Sequence, residues 1–275
     1  MIEVKDLTLK YPRAKQEALK GVSFSVRTGE IFGFLGPSGA GKSTLQKVLT
    51  GILLHYQGRV GVFGTEVKER TATFYEEIGV DFEFPNFYGK FTAQENLAYF
   101  ASLYRRPVPD PLPLLERVGL GDAAQQRVSA YSKGMKMRLA FVRAIMHQPK
   151  LLFLDEPTSG LDPANARIIK TLIREKKQAG TTIILTTHNM HDAEELCDQV
   201  AFIVDGEIRA LDTPHGLCAH KETPTVEKKG ITELAVLKED AVFLSHLQNG
   251  SLKEIHTKEA TLEDVFIRLT GRCLQ

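Results

Sequence analysis

Gly36-Pro37-Ser38-Gly39-Ala40-Gly41-Lys42-Ser43-Thr44 is the stretch on which the reading of this chain turns. A short apolar run, Ile31-Phe32-Gly33-Phe34-Leu35, precedes it; an amphipathic run with Leu45, Val48, Leu49 and Ile52 on one side follows. Strand, glycine-rich turn and helix in that order have the spacing of a phosphate-binding loop. Glycines let backbone N–H groups close around phosphate oxygens without a Cβ in the way. A helix starting near Lys42 adds roughly half a positive charge at its N-terminus. Lys42 is then expected to reach the β- and γ-phosphates of a nucleotide, and the Ser43 hydroxyl to ligate Mg2+.

Around this stretch lies a chain of ordinary globular composition. Its 275 residues are 43% apolar and 25% charged, enough for one large domain with a smaller appendage. A net charge of +1 argues against a broad nucleic-acid or polybasic membrane surface. Cys197, Cys218 and Cys273 are scattered, so neither a disulfide framework nor a zinc site is expected and a reducing compartment fits. Met1 to Asp6 carries no apolar signal core. The runs Leu151–Leu154 and Ile183–Leu185 are far shorter than the ~20 residues that cross a bilayer. Work at a membrane would need another chain to do the spanning.

From the N-terminus, Ile2, Val4, Leu7, Leu9 and Tyr11, then Val22, Phe24 and Val26, alternate as antiparallel strands do. Tyr11 reads either as a strand aromatic or as a ring that stacks on a nucleobase. Beyond the loop, Gly58–Gly64 and Ile78–Phe82 are short strands. An aromatic-rich segment follows, in which Thr92-Ala93-Gln94-Glu95 has the form of a capping box opening a helix with Leu97, Phe100 and Leu103 on one face. Four prolines from Pro107 to Pro113 separate it from a helix over Leu114 to Val118. Ser132 stands where a helix N-cap is expected, ahead of Met137, Leu139, Ala140, Val142 and Ile145. It either caps that helix or, with the Gly134 backbone, offers an anion site.

Leu151-Leu152-Phe153-Leu154-Asp155-Glu156 is a buried parallel strand that delivers two carboxylates to the edge of a sheet, where α/β folds bind ligands. Asp155 can hold Mg2+ through water, and Glu156 is placed to take a proton from an attacking water. Asp162 and Pro163 signal the cap and first position of a helix running to Gly180. Thr181–Thr187 is a second buried strand, with His188 at its end, where it either packs as a surface residue or senses a γ-phosphate. Val200–Val204 and Glu207–Ala210, joined at Asp205-Gly206, form a hairpin. Val236, Leu237, Val242, Phe243 and Leu244 suggest short strands, and Thr261–Leu269 a closing helix stopped by Gly271.

Taken together and in order, Tyr11, Gly36–Thr44, the segment after Val80, Tyr131-Ser132-Lys133-Gly134-Met135, Leu151–Glu156, Ser159–Asp162 and His188 resemble the motifs of an ABC transporter ATP-binding subunit. The likeness covers roughly residues 1–212. The closing Thr261–Gly271 and the Tyr-Ser-Lys-Gly-Met motif resemble the exporter type, whose membrane permease is a separate chain. The resemblance implies an α/β fold: a P-loop NTPase core with a parallel sheet, an N-terminal antiparallel β subdomain, a helical subdomain inserted over about 84–147, and a small extension over 213–275. It implies ATP and Mg2+ as cofactors and a place on the cytoplasmic face of the membrane. By position, Tyr11 would stack on adenine, Ser132 and Gly134 would contact the γ-phosphate held by an opposite subunit, and Asp162 would link the two sites. His188 would be the switch histidine. A head-to-tail pair with two-fold symmetry is then needed for a whole site.

Two departures from the family pattern stand out. Lys133 occupies a place where glycine is common, and it either assists phosphate binding or projects to solvent. Glu83 occupies the place of a metal-ligating glutamine. Unliganded, it would repel the γ-phosphate by roughly 4 kcal/mol per charge pair at about 4 Å and an effective dielectric of about 20. Glu83 is therefore expected to touch the metal when ATP is bound. Two other classes compete with a transporter motor: a soluble ABC ATPase of translation or DNA repair, and a metal-cluster assembly ATPase. The first usually carries paired nucleotide domains, coiled coils or zinc clusters, none of which is in this sequence. The second would work with scaffold proteins rather than a permease.

Overall fold

The computed structural model describes residues 1–82, 85–219, 225–227, 231–233, 244, 248, 257–258 and 261–270. Alternating burial along β1 (Ile2–Leu9) and β2 (Leu19–Val26) sends one face inward, and the two pair antiparallel. With β4 (Gln57–Val62) and β5 (Thr65–Glu66) they make a four-stranded sheet in the order β2-β1-β4-β5. Tyr11 lies beyond the end of β1, so it is not one of the strand's alternating residues.

A second sheet carries the central strands. β3 (Ile31–Leu35), β6 (Ile78–Asp81), β7 (Leu151–Asp155), β8 (Thr182–Thr187), β9 (Gln199–Val204) and β10 (Glu207–Asp212) are ordered β10-β9-β3-β8-β7-β6. All neighbours are parallel except the β9–β10 hairpin. Strands buried on both faces read as continuous apolar runs, which is why Ile31–Leu35 and Leu151–Leu154 do not alternate in hydropathy. Their side chains nevertheless sort by parity. Ile31, Leu35, Leu152, Leu154, Ile183 and Leu185 enter one core cluster, and Phe32, Phe34, Leu151, Phe153 and Ile184 the other.

Helices cover this sheet. α1 (Lys42–Leu49) buries Leu45, Val48 and Leu49 beside the antiparallel sheet, and α2 (Ala72–Glu77) adds Phe74 to the same cluster. The other cluster receives α3 (Ala93–Ala101), α4 (Leu112–Arg117), α5 (Lys133–Ile145), α6 (Pro163–Gln178) and α7 (Met190–Leu196). The closing helix Leu262–Thr270 also joins it, with Phe266 meeting Phe202 edge to face at 5.3 Å. Two residues depart from the helical periodicity. Ile52 and Leu103 lie past the ends of α1 and α3 and are 55% and 63% exposed. The apolar spacing continues beyond the point where the backbone leaves the helix. Leu244 is helical rather than extended, whereas Val236, Leu237, Val242, Phe243 and Gly271 lie outside the described residues.

Candidate functional site

Parallel register puts the ends of three strands at one level. Leu35 of β3 pairs with Thr187 of β8, and Thr186 pairs with Asp155 of β7. The chain leaving each strand therefore emerges side by side: Gly36, His188 and Glu156. Glu156 and His188 line a cavity of about 340 Å3 together with Ala18, Ser38–Thr44, Asp155 and Ser159.

At two of its glycines the loop that forms one wall has no room for a side chain. A Cβ on Gly36, where φ is 155°, would stand 2.1 Å from the Ile203 carbonyl oxygen; on Gly41, at φ 112°, it would stand 2.9 Å from that of Ala18. α1 begins at Lys42 without a side-chain cap, so its first N–H groups have no side chain of the cap residue upon them. The Lys42 ammonium donates to the Gly36 and Pro37 carbonyls and closes the loop on itself. Tyr11 reaches the other end of the loop, its hydroxyl 3.2 Å from Thr44 Oγ1 and its ring edge-on to His55.

The opposite wall is acidic. Consecutive threonines at the end of β8 hold consecutive carboxylates: Thr186 Oγ1 donates to Asp155 Oδ1, and Thr187 Oγ1 donates to Glu156 Oε2 at 3.1 Å. Glu156 Oε1 accepts from the His188 backbone N–H at 2.8 Å and lies 2.7 Å from His188 Nδ1. The Glu156 backbone sits at φ 52°, a strained region for a residue with a side chain, and its N–H donates to Thr186. Three hydrogen bonds and a strained backbone hold this carboxylate in the cavity that the loop also lines. Asp81, buried at the end of β6, has its carboxyl pushed up to about 8 by burial, against the Arg143 charge and with the help of Asp155.

The donor set suits Mg2+. Ser43 and Asp155 offer hard oxygens in one cavity, and among the described residues no cluster of three His, Cys, Asp or Glu forms a dedicated cage. Mg2+ is commonly held by one or two protein oxygens plus waters and substrate phosphates. Glu83 lies outside the described residues.

Ser132, Gly134 and Asp162 stand apart from this cavity and close to one another. Ser132 caps α5 by accepting from the Met135 N–H at 3.2 Å, and Gly134 abuts Leu161, whose Cδ2 would be 3.4 Å from an added Cβ. Asp162 caps α6 through the Ala164 and Asn165 N–H groups at 3.1 and 3.0 Å. The Asn165 side-chain amide, with those backbone donors, keeps its carboxyl below the usual range. Lys133 is exposed and lies over Gly160.

A larger groove of about 950 Å3 opens among Ile52, Tyr75, Phe82, Phe87, Tyr88 and Leu103. Thr92 and Glu95 complete the capping box of α3, the helix that contributes Phe100 to its lining. Arg143 of α5 forms part of its floor, with its guanidinium 4.8 Å from the Phe87 ring centroid and 5.0 Å from that of Phe100, and donates to the Asn86 carbonyl at 2.9 Å. Sequence reasoning named neither Arg143 nor the two threonines. Position before His188 on a strand was the available signal for the threonines, but threonine there also suits β structure.

Comparison with known proteins agrees with this geometry. The ABC transporter family model matches residues 19–159. A fluoroquinolones export ATP-binding protein of Mycobacterium tuberculosis (strain ATCC 25618 / H37Rv) is 50% identical over 284 residues, spanning all of this chain and 94% of the relative. The linearmycin resistance ATP-binding protein of Bacillus subtilis (strain 168) is 31% identical over 312 residues and spans both chains fully. A solved ATP-binding subunit of an ABC transporter superposes with a TM-score of 0.76 at 26% identity, covering 98% of this chain and 99% of the other.

Proposed function

The chain belongs to the ABC transporter family as an ATP-binding subunit, and from that premise we propose that it is the MgATP-hydrolysing motor of an exporter. Its permease is a separate membrane chain, and the motor sits against it on the cytoplasmic face. The relatives named for fluoroquinolone export and linearmycin resistance support the direction of transport. The observation that carries the mechanism is the facing of the phosphate loop and the Glu156 carboxylate across one cavity.

In this reading, backbone N–H groups of Ser38 to Thr44 and the start of α1 grip the phosphates. Lys42 exchanges its two loop carbonyls for phosphate oxygens. Ser43, Asp155 and Glu83 would hold Mg2+, which when bound neutralises charge on the phosphoryl oxygens. Glu156 takes the proton of the attacking water, with Thr187 and His188 fixing its two oxygens. Tyr11 supplies the stacking face for adenine.

Ser132 and Gly134 lie beside the segment ending in Asp162 and away from their own subunit's cavity, which supports a role at the nucleotide of a partner. Two copies arranged head to tail would then complete two sites. Residues 1–212 form the motor domain, with a helical subdomain over about 84–147 that lines part of the groove. The exposed aromatics Tyr75, Phe82 and Tyr88 make that groove a seat for a permease segment. ATP binding closes the pair and hydrolysis opens it.

Glu156→Gln tests the reading. It should bind ATP as the wild type does, stop turning over and accumulate as a dimer on gel filtration. Turnover at the wild-type rate removes Glu156 from the role of base.

A further inference from the structure

Asp192 lies in the first turn of α7, outside the motifs quoted above, and is 5% exposed. Its two carboxylate oxygens serve two different elements. Oδ1 pairs with Lys170 Nζ of α6 at 2.5 Å, and Oδ2 accepts from the Thr158 hydroxyl. Thr158 opens the segment that ends at Asp162, the cap of α6, and its carbonyl accepts from the Leu161 N–H at 3.2 Å. One buried carboxylate therefore grips both the start of segment 158–162 and the helix into which it runs. The Lys170 ammonium also meets Glu195 Oε2 at 2.6 Å. Against the cost of burial, hydrogen bonds and charge from Asp192 and Glu195 hold that ammonium above its usual range.

From Asp192 a continuous set of hydrogen bonds leads back to the Glu156 carboxylate. The Asp192 N–H donates to Asn189 Oδ1 at 3.3 Å, and the Asn189 N–H donates to Thr187 Oγ1 at 3.0 Å. Thr187 Oγ1 in turn donates to Glu156 Oε2 at 3.1 Å. A buried ion pair is a weak device for stability, since apolar residues of similar volume serve as well or better. Two charges retained here, each with named partners, instead set the relative position of α6, α7 and the segment between β7 and α6.

We propose that Asp192 is a positioning residue that locks segment 158–162 to the Glu156–His188 end of the sheet, so that the state of one ATP site is felt at the surface facing the partner subunit. The proposal rests on the dimeric reading above. It assigns to Asp192 no contact with nucleotide.

The test uses the full-length chain and compares wild type, Asp192→Asn and Thr158→Val. Equilibrium ATP binding, kcat, the Hill coefficient of ATP turnover and the thermal midpoint are measured for each. Asp192→Asn keeps the size but removes the charge; Thr158→Val removes only the hydroxyl and leaves the Lys170 pair intact. Both should keep ATP affinity, lose roughly 3- to 30-fold in kcat, the range expected for a residue that carries coupling, and shift the Hill coefficient from near two toward one. If Asp192→Asn fails to fold, Thr158→Val decides. The proposal is overturned if the folded variants match wild type in kcat and cooperativity. It is equally overturned if affinity, turnover and thermal midpoint fall together, which would mark a purely structural residue. Wild-type turnover that is non-cooperative and independent of protein concentration would instead bring down the dimeric reading, and this inference with it.

Discussion

Replacing Thr187 with valine removes one hydroxyl and almost no volume. That hydroxyl donates to Glu156 Oε2 and accepts the Asn189 N–H. A hydrogen bond to a charged group contributes about 1.5–3 kcal/mol. If the Glu156 carboxylate must be held in the transition state as it is held here, the loss corresponds to roughly a 10- to 150-fold fall in kcat. Nucleotide affinity should hardly change, because the loop and α1 make no use of this hydroxyl. The orphaned Asn189 N–H costs about 1 kcal/mol in a partly buried place, which lowers the melting midpoint by about 2–4 °C. Thr187→Ser keeps the hydroxyl and should restore most of the rate. Steady-state phosphate release, ATP titration and thermal melts of the three proteins check each figure. A valine variant with wild-type turnover would refute the claim that Thr187 orients the base, whatever its stability.

Gly36→Ala forces a Cβ to within 2.1 Å of a backbone oxygen and should weaken ATP binding by about 1–3 kcal/mol, read by calorimetric titration; unchanged affinity would mean that the loop yields freely. His147 is stacked on Tyr104 and donates to the Ile78 carbonyl through Nε2, while its Nδ1 finds no hydrogen-bond partner among the described residues. Burial is the main cause that holds its imidazole below the usual value of 6.5, with Arg106 adding to it and the Ile78 hydrogen bond opposing it. Below about pH 6.5 the unfolded chain binds this proton more readily than the folded one, so stability decreases as the pH is lowered, by at most about 1.4 kcal/mol per unit. His147→Gln keeps a donor for Ile78 and should flatten that slope in urea titrations between about pH 5 and 7.

Local signals account for what could be read without coordinates. The phosphate loop declares itself because only glycine tolerates its backbone. The caps at Thr92, Ser132 and Asp162 declare themselves because donor and acceptor are three residues or fewer apart. The buried strands of the central sheet follow from short apolar runs, and the hairpin from Asp205-Gly206. Contacts between distant segments left no such trace. Thr187 meets Glu156 across 31 residues, and Thr158 meets Asp192 across 34. Nothing in the spelling of two adjacent threonines separates a pair of carboxylate holders from ordinary strand residues. Ile52 and Leu103 misled for a related reason. Apolar spacing persists past a helix end when the next residues line a groove, so periodicity alone overran the true boundary.

The parity of the central strands has a consequence for how the protein tolerates change. Because neighbouring side chains on β3, β7 and β8 enter different cores, the sheet acts as a partition between two mutational neighbourhoods. Damage at Phe32 or Phe34 spreads toward α1 and the antiparallel sheet. Damage at Leu152 or Leu185 spreads toward α5, α6 and α7. Substitutions on one side of the sheet can therefore be compensated within that side, without disturbing the packing on the other.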